Sequence, residues 1–324
     1  MSQVQKVTNW KEYNQSLKKR GYIIFNFDKQ YLSQLYYTGK QKQGGIREYT
    51  PYMFEYLLTI KLVLRLPWRS TIGFAEGLLQ KAFQSKEVKV PDYAHASREA
   101  GKLNLKLKQY LPRSKDGMEL AFDSTGVNVY TTSGYHKRKY GKQSLFLKRN
   151  QWKKIHLAMD LDTMQIVAVE YTDSNTNDCV PIPKLCSEIP PPVKSVRADG
   201  AYDTKCFYEI MEQWGATAII PPDIQAKAQD ELKNRFKAKK TYLKQRDEII
   251  KTIRQYKTFK DGLKQWKISS KYHRRSLVEA CMFRLKRIFG FYLHQKTERG
   301  RKNEIIVKMN ILNLMSSYGR ACYI

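Results

Sequence analysis

The sequence predicts an α/β protein in which a mixed β-sheet with flanking helices and a helical insertion follows a helical N-terminal domain. Two changes of pattern support this prediction. Residues 1–112 carry mainly helix-type apolar spacings, whereas strand-type patterns begin at Glu119. The first strands follow one another through tight turns, and the later ones are separated by helices. Antiparallel pairs followed by helical crossovers are typical of a mixed sheet.

The N-terminal region contains four predicted helices, at residues 9–20, 50–66, 70–83 and 92–101. Gly21 ends the first of them, and Tyr22 to Phe27 has the composition of a short extended segment. Pro51 suits the first position of the second helix, and Asp92 suits the N-cap of the fourth.

The three helices between residues 50 and 101 predict a helix-turn-helix module. In this interpretation His95, Ser97, Arg98 and Lys102 of the last helix face DNA. The alternative is an ordinary helical bundle with solvated charges, and the sequence of this region fits both.

The remainder of the chain alternates between strand and helix patterns. Strands are predicted near residues 119–123, 127–132, 155–160, 165–171, 193–198 and 218–220, and helices at 177–189, 204–214 and 303–317. We therefore predict a helical DNA-binding domain at 1–112 and an α/β domain at 117–324. A basic helix or helical pair at about 223–268 forms an insertion in the second domain, although a solvated surface helix would have the same pattern.

The charge balance predicts a nucleic-acid partner. The 324 residues include 59 Lys and Arg against 30 Asp and Glu, which gives a net charge of +29. Basic residues are spread between Lys18 and Arg320 rather than confined to a tail, which indicates a long binding surface on the folded protein. An anionic membrane also attracts positive charge, but the sequence has no apolar run of transmembrane length. The polar first 20 residues and the odd number of cysteines, 5, predict a cytosolic protein without a disulfide framework or zinc site.

Two aspartates are predicted to end strands. Asp123 opens the segment Asp123-Ser124-Thr125-Gly126, and Asp199 opens Asp199-Gly200-Ala201-Tyr202. A charge at the end of an apolar strand is costly to bury unless it is paired or binds a cation, and glycine lets a ligand approach the backbone. The alternative is that each aspartate only caps a turn.

A helix is predicted over residues 270–290, with Ser270 as its N-cap and Gly290 at its end. It carries polar side chains at intervals of three, four and seven residues, which places them on one face: Tyr272, Arg275, Glu279 and Lys286. A second face is apolar and should pack against a core: Val278, Met282, Leu285 and Phe289.

Together these acidic residues predict a metal site. Asp123, Asp199 and Glu279 would repel one another in one place unless a divalent cation neutralised them. Oxygen ligands favour Mg²⁺, with Mn²⁺ as a substitute, and we expect two ions about 3.5–4 Å apart. The simpler alternative is that Glu279 forms only an i,i+4 salt bridge with Arg275.

Several other residues have both a functional and a structural interpretation. Residues 135–149 resemble a basic hairpin, for which contact with backbone phosphates is preferred over simple solvation; its cations include Lys137, Arg138 and Lys139. His156 is expected to be a hydrogen-bonded core residue. Trp152 and Trp266 suit packing more than stacking on a base.

The order of the three acidic residues and the spacing from Tyr272 to Lys286 resemble those of the DDE transposases of bacterial insertion sequences, most closely insertion sequence family five. The resemblance covers about residues 117–316. It implies an RNase H-like catalytic domain in which Asp123, Asp199 and Glu279 bind the metal ions. By the same resemblance, the phosphates of the transposon end would be bound by Tyr272, Arg275 and Lys286. The acidic residues Asp160 and Asp203 lie outside the motif and are expected to be structural.

This resemblance implies a DNA transposase that binds terminal inverted repeats, cleaves strands at the ends and joins the 3′-hydroxyls to target DNA. It also implies a homodimer or larger synaptic complex and a location at the bacterial nucleoid. One alternative is a metal-dependent nuclease of the same fold, which cuts without joining. Another is a non-catalytic DNA-binding regulator derived from a transposase, against which the intact acidic triad argues.

Overall fold

The computed structural model describes residues 6–25, 32–41, 43–44, 46–85, 88–129, 152–231 and 240–322. The chain divides into two compact units. The first consists of Met1–Lys108 and Leu285–Ile324, and the second consists of Gln109–Arg284. The basic segment with Lys137, Arg138 and Lys139 lies outside the described residues.

The first unit is helical. Its elements are α1 (Trp10–Arg20), a 3₁₀ helix (Ile23–Phe25), α2 (Pro51–Leu64), α3 (Trp68–Phe83), α4 (Tyr93–Lys102), the short β6 (Tyr292–Leu293) and α10 (Glu298–Ser317). The apolar sides of α2, α3 and α4 share one core, in which Leu57, Leu79 and Ala96 are fully buried. The predicted helices are therefore confirmed, whereas the extended segment predicted from Tyr22 is wrong because Ile23–Phe25 is a 3₁₀ helix.

Helix α10 begins before the predicted residue 303 and buries a polar face as well as an apolar one. The Asn303 amide donates to the carbonyl oxygens of Ala100 at 3.1 Å and Gly101 at 3.2 Å. Asn310 accepts from the Lys108 amide at 2.7 Å and donates to a carbonyl at residue 106, while Asn313 donates to the Lys108 carbonyl at 2.9 Å. Asparagine side chains thus bind the backbone of residues 100–108.

The second unit contains a mixed sheet. Its strands are β1 (Met118–Val129), β2 (Trp152–Asp160), β3 (Ile166–Asp173), β4 (Val193–Arg197) and β5 (Thr217–Ile219). Their order is β3-β2-β1-β4-β5, with β1, β2 and β3 antiparallel and β1, β4 and β5 parallel. The prediction of a mixed sheet with flanking helices is confirmed.

Helices cover this sheet and extend from it. They are α5 (Ile182–Ser187), α6 (Lys205–Trp214), α7 (Lys244–Arg254), α8 (Phe259–Ser269) and α9 (Ser276–Phe289), with 3₁₀ helices at Gly200–Tyr202, Gln229–Glu231, Thr241–Leu243 and Tyr272–Arg275. Helices α5 and α6 bury Leu185, Phe207 and Met211 in one core with Phe122 of β1. Helix α9 continues into the first unit from residue 285.

The basic segment predicted as an insertion contains a helical pair, α7 and α8, and the backbones of the two helices approach closely at Gly262. A Cβ atom built on Gly262 would lie 1.9 Å from the Ile253 carbonyl oxygen. Gly262→Ala should therefore force the two helices apart and destabilise the protein by about 1–3 kcal/mol. Thermal unfolding measures this loss. The control is Gly73→Ala in α3, where a Cβ would have no neighbour within 4 Å, and this change should stabilise by about 0.5–1 kcal/mol. Equal stability of the two variants would contradict the expected clash.

Candidate active site

The parallel register of β1 and β4 places two of the predicted acidic residues side by side. Ala121 is level with Arg197, the last residue of β4, so Asp123 and Asp199 each lie two residues beyond that pair. The prediction that Asp123 ends a strand is wrong, because β1 continues to Val129 and pairs with β2 along its length. The strand that ends here is β4, whose last residue is Arg197, and Asp199 follows it next to Asp123.

The Asp123 carboxylate is largely buried and faces several charges. Its Oδ1 accepts a hydrogen bond from the Ser124 amide at 2.8 Å. Burial raises the pKa of Asp123, and the charges of Asp199 and Glu279 act in the same direction; the Ser124 hydrogen bond and Arg275 oppose them. Asp199 and Glu279 are therefore close enough to raise the pKa of Asp123, and a bound cation would offset this repulsion between carboxylates.

Asp199 caps the short 3₁₀ helix that follows β4. Its Oδ1 accepts from the Ala201 amide at 3.0 Å, and the Ala201 carbonyl in turn accepts a hydrogen bond from the Cys179 thiol at 3.1 Å. The Tyr202 side chain is buried in the core below this turn. Asp199 therefore caps a turn, as the alternative interpretation expected. The same hydrogen bond holds its carboxylate just beyond the end of β4.

The segment that carries the other predicted residues is not a single helix from 270 to 290. Ser270 ends α8 rather than beginning a helix, and its hydroxyl donates to the Trp266 carbonyl at 2.6 Å. Lys271 then has a left-handed φ of 53°, a 3₁₀ helix holds Tyr272 to Arg275, and α9 begins at Ser276. No glycine or proline marks this break in the sequence.

Other parts of that prediction are confirmed. Gly290, with φ of 78°, follows the last residue of α9. The predicted apolar face is buried at each of its four positions, Val278, Met282, Leu285 and Phe289.

Arg275 connects two of the acidic residues. Its Nη1 lies 3.2 Å from Asp123 Oδ2, and its Nη2 donates to Glu279 Oε1. The guanidinium is 17% exposed, whereas the Glu279 carboxylate is 51% exposed. The salt bridge expected from the i,i+4 spacing is present, but Arg275 also reaches across to the sheet, so it is more than a surface pair.

Tyr272 packs beside this arginine. Its ring centroid lies 6.0 Å from that of the largely buried Trp266 and 5.8 Å from the Arg275 guanidinium carbon. Burial raises the pKa of the Tyr272 hydroxyl, and Arg275 opposes that shift. The structure therefore brings Tyr272, Arg275, Asp123 and Glu279 together.

The acidic residues offer the oxygen donors that Mg²⁺ and Mn²⁺ prefer. Among the residues that the structure describes, no three His, Cys, Asp or Glu side chains are arranged to hold a metal ion. The guanidinium of Arg275 instead supplies positive charge between Asp123 and Glu279. The donor set fits a divalent cation, and Arg275 contacts the same carboxylates that the cation would use.

The remaining predicted DNA-contact residues lie in the first unit. Lys286, in the last turn of α9, has its ammonium 5.8 Å from the Phe291 ring. On α4, the Asp92 carboxylate accepts from the amides of Ala94 and His95, as predicted for an N-cap. The His95 ring packs 5.3 Å from Phe54.

Two other residues of α4 that were predicted to face DNA lie at the surface. Arg98 is exposed. Lys102 is exposed too, and it pairs with Glu99 at 2.7 Å.

Residues expected to be structural have structural contacts. His156 is buried and its Nε2 lies 2.8 Å from the Thr172 hydroxyl. Asp160 accepts from the Thr163 hydroxyl at 2.6 Å, and Asp203 forms two hydrogen bonds with Arg246.

The two tryptophans differ in exposure. Trp266 is buried, whereas Trp152 is half-exposed and its ring lies against Gly126.

One group of charged residues in this unit was missed at the level of sequence. Glu119 of β1, Arg197 of β4 and Arg274 meet beside these two inner strands of the sheet, with Arg197 nearly fully buried. Their contacts join residues that are far apart in the chain, so no local spacing predicts them.

Comparison with protein families decides the identity of this fold. A family model described as "Transposase DDE domain" matches residues 114–315, which include all three acidic residues and the Tyr272-to-Lys286 motif. The chain belongs to the DDE transposase family. A second model with the same description matches residues 18–132 of the transposase. Membership in the family implies DNA binding and a divalent-metal requirement, while the closer likeness to insertion sequence family five stays a prediction.

The helices of this transposase also bear on the question of membrane insertion. Within the described part of the chain, no helix is both long and apolar enough to cross a membrane.

Proposed function

We propose that this transposase binds the terminal inverted repeats of its element, cleaves DNA strands at the ends, and joins the 3′-hydroxyls to target DNA. The observation that carries the proposal is the position of Arg275, which contacts Asp123 and Glu279 while the strand register places Asp199 beside Asp123. Two of the carboxylates thereby contact one cationic side chain, and the third follows the neighbouring strand, in a strongly basic protein.

Asp123, Asp199 and Glu279 are the residues that would hold Mg²⁺, with Mn²⁺ as a substitute and two ions per site. When bound, these ions activate the attacking oxygen and stabilise the leaving oxygen of a displacement at phosphorus. The chain's own carboxylates fix that position, because Asp199 is held by its turn and Asp123 by the middle of β1.

Both reactions have the same form. In cleavage, a water oxygen bonds to phosphorus, the bond from phosphorus to the 3′-oxygen breaks, and that oxygen takes up a proton. In joining, the released 3′-hydroxyl oxygen bonds to a phosphorus of the target and loses its proton. The bond from that phosphorus to a 3′-oxygen of the target strand breaks, and this oxygen takes up a proton. Each step exchanges one phosphorus–oxygen bond for another, so one site can perform both.

Positive side chains would hold the DNA. Arg275 presents a planar guanidinium that can donate two parallel hydrogen bonds to a phosphate, and Tyr272 buttresses it from one side. We assign Lys286 and the basic residues Lys137, Arg138 and Lys139 to further phosphate contacts, and we assign the exposed Arg98, with His95, to the recognition of the inverted repeat. A homodimer or larger complex would hold two ends together.

A strand-transfer assay with labelled end DNA, target DNA and Mg²⁺ tests the proposal. We expect joined product, its loss in EDTA, and its recovery on addition of Mn²⁺. Cut but unjoined DNA would instead indicate a nuclease, and retained end binding without either product would indicate a regulator.

Arg98→Ala tests the role of α4. If Arg98 contacts a base, the variant should bind the true end more weakly by about 1–3 kcal/mol and random DNA by much less. Lys89→Ala is the control, because Lys89 is exposed in the same unit but lies outside α4. Fluorescence anisotropy with both DNAs measures the difference. Unchanged binding to the true end would remove Arg98 from the interface, and equal losses on both DNAs would make it a phosphate contact.

A further inference from the structure

The carboxylate of Glu119 is shared by two arginines that come from different elements. Glu119 Oε2 lies 3.1 Å from Arg197 Nη1 and 2.5 Å from Arg274 Nη1. Glu119 lies near the start of β1, Arg197 ends β4, and Arg274 belongs to the 3₁₀ helix before α9. The Glu119 side chain is 19% exposed and that of Arg197 only 4%, so this pair is shielded from solvent, whereas Arg274 is 33% exposed.

Each of the three residues is close in the chain to one acidic residue of the candidate site. Glu119 is four positions before Asp123 in β1, an even number, so the two side chains lie on the same face of the strand. Arg197 is two residues before Asp199, and Arg274 directly precedes Arg275. One carboxylate therefore connects β1, which carries Asp123, to the end of β4 before Asp199 and to the 3₁₀ helix before α9, which carries Glu279.

The two arginines also bind the backbone around the 3₁₀ helix. Arg197 Nε donates to the Lys271 carbonyl at 3.2 Å, at the residue with left-handed φ. Arg274 Nη2 donates to the Leu161 carbonyl at 3.3 Å and to Asp162 Oδ1 at 2.7 Å. These bonds hold the segment against the sheet on one side, while Arg275 faces Asp123 on the other.

The charge of Glu119 is needed for this arrangement. Without the Glu119 carboxylate, the nearly buried Arg197 would lose its ion pair at 3.1 Å, while Arg274 would keep its pair with Asp162. Breaking a buried ion pair from one side is costly because the remaining charge is left uncompensated.

We propose that Glu119 is a positioning residue of the transposase: through Arg197 and Arg274 it sets the places of Asp199, Arg275 and Glu279 relative to Asp123. Glu119 itself contacts neither DNA nor metal. This role rests on the proposed function of the acidic residues as metal ligands. It gives a reason for an ion cluster that lies outside the transposase motif but next to its residues in the chain.

The test is Mn²⁺ binding by the full-length protein, measured by isothermal titration calorimetry, together with thermal unfolding. Glu119→Gln keeps the size of the side chain and removes its charge. We expect the dissociation constant for Mn²⁺ to rise by roughly 10–100-fold, as for other residues that orient metal ligands. Arg274→Gln, which removes a half-exposed partner and leaves Glu119 and Arg197 paired, should give a smaller rise in the same direction.

Glu170→Gln is the matched control. Glu170 lies in the same sheet, its side chain is 10% exposed, and it pairs with Lys184 at 2.8 Å. It should lose similar stability and bind Mn²⁺ like the wild type. If Glu119→Gln and Arg274→Gln fold and bind Mn²⁺ like Glu170→Gln, the positioning role is wrong. Strand transfer by the wild type is measured separately. If the wild type is inactive but Glu119→Gln still weakens Mn²⁺ binding, the proposed function is wrong and the positioning role stands.

Discussion

Asp123→Asn, Asp199→Asn and Glu279→Gln are each expected to abolish cleavage and joining while binding to end DNA stays close to that of the wild type. Each variant keeps the size of its side chain and removes the charge that holds a divalent cation. We expect a loss of at least about 1,000-fold, more than the roughly 10–100-fold typical of residues that only orient metal ligands. Binding should persist because phosphate contacts elsewhere supply most of the affinity.

The control is Asp203→Asn, which removes a carboxylate four residues from Asp199 that is paired with Arg246 instead. This variant should cleave DNA at a near-normal rate if it folds. The measurements are single-turnover cleavage in Mg²⁺ and anisotropy with labelled ends. Mg²⁺-dependent cutting that survives in any one of the three variants would exclude that residue from the metal site.

Arg275→Lys is expected to slow the joining of pre-cut ends by roughly 10–100-fold, since a hydrogen bond to a charged group contributes about 1.5–3 kcal/mol. Lysine keeps the positive charge but cannot reproduce the two parallel hydrogen bonds of a guanidinium. If Arg275 formed only a surface pair with Glu279, the change would cost about 0.3–0.5 kcal/mol of stability and leave joining unaffected. The contact with Asp123 at 3.2 Å makes the larger effect the expected one.

Arg254→Lys is the control for this change. Arg254 is a partly exposed arginine of the same unit that pairs with Glu231 and donates to the Ala226 carbonyl, so its replacement by lysine should leave joining unchanged. A second readout is thermal unfolding of Arg275→Gln. Loss of the guanidinium leaves Asp123 and Glu279 without a shared cation, so this variant should be less stable than the wild type in EDTA and should regain stability in Mn²⁺. Joining at wild-type rates by Arg275→Lys would show that the second hydrogen bond is not used.

The sequence was informative where a property depends on neighbours in the chain. The helices α2 and α4, the cap at Asp92 and the buried face of α9 all follow from local patterns. The mixed order of the sheet also followed, because strand spacing reports whether a connection is a turn or a crossover.

The features that were missed depend on contacts between distant segments. Asp123 seemed to end a strand because Asp-Ser-Thr-Gly has the composition of a turn, but pairing with β2 keeps the chain extended. The break at Lys271 has no glycine or proline signal, and its backbone is bound by Arg197 from another strand. The role of Glu119 depends on partners at positions 197 and 274, so only the folded sheet brings them together.

The asparagines of α10 have a consequence for how the protein can vary. Their side chains bind the main chain of residues 100–108. Substitutions in this stretch therefore leave those hydrogen bonds intact. An inserted or deleted residue would shift every carbonyl and amide away from Asn303, Asn310 and Asn313 at once. Homologous chains should accordingly keep the length of this segment constant while its composition drifts, the reverse of what surface loops usually do.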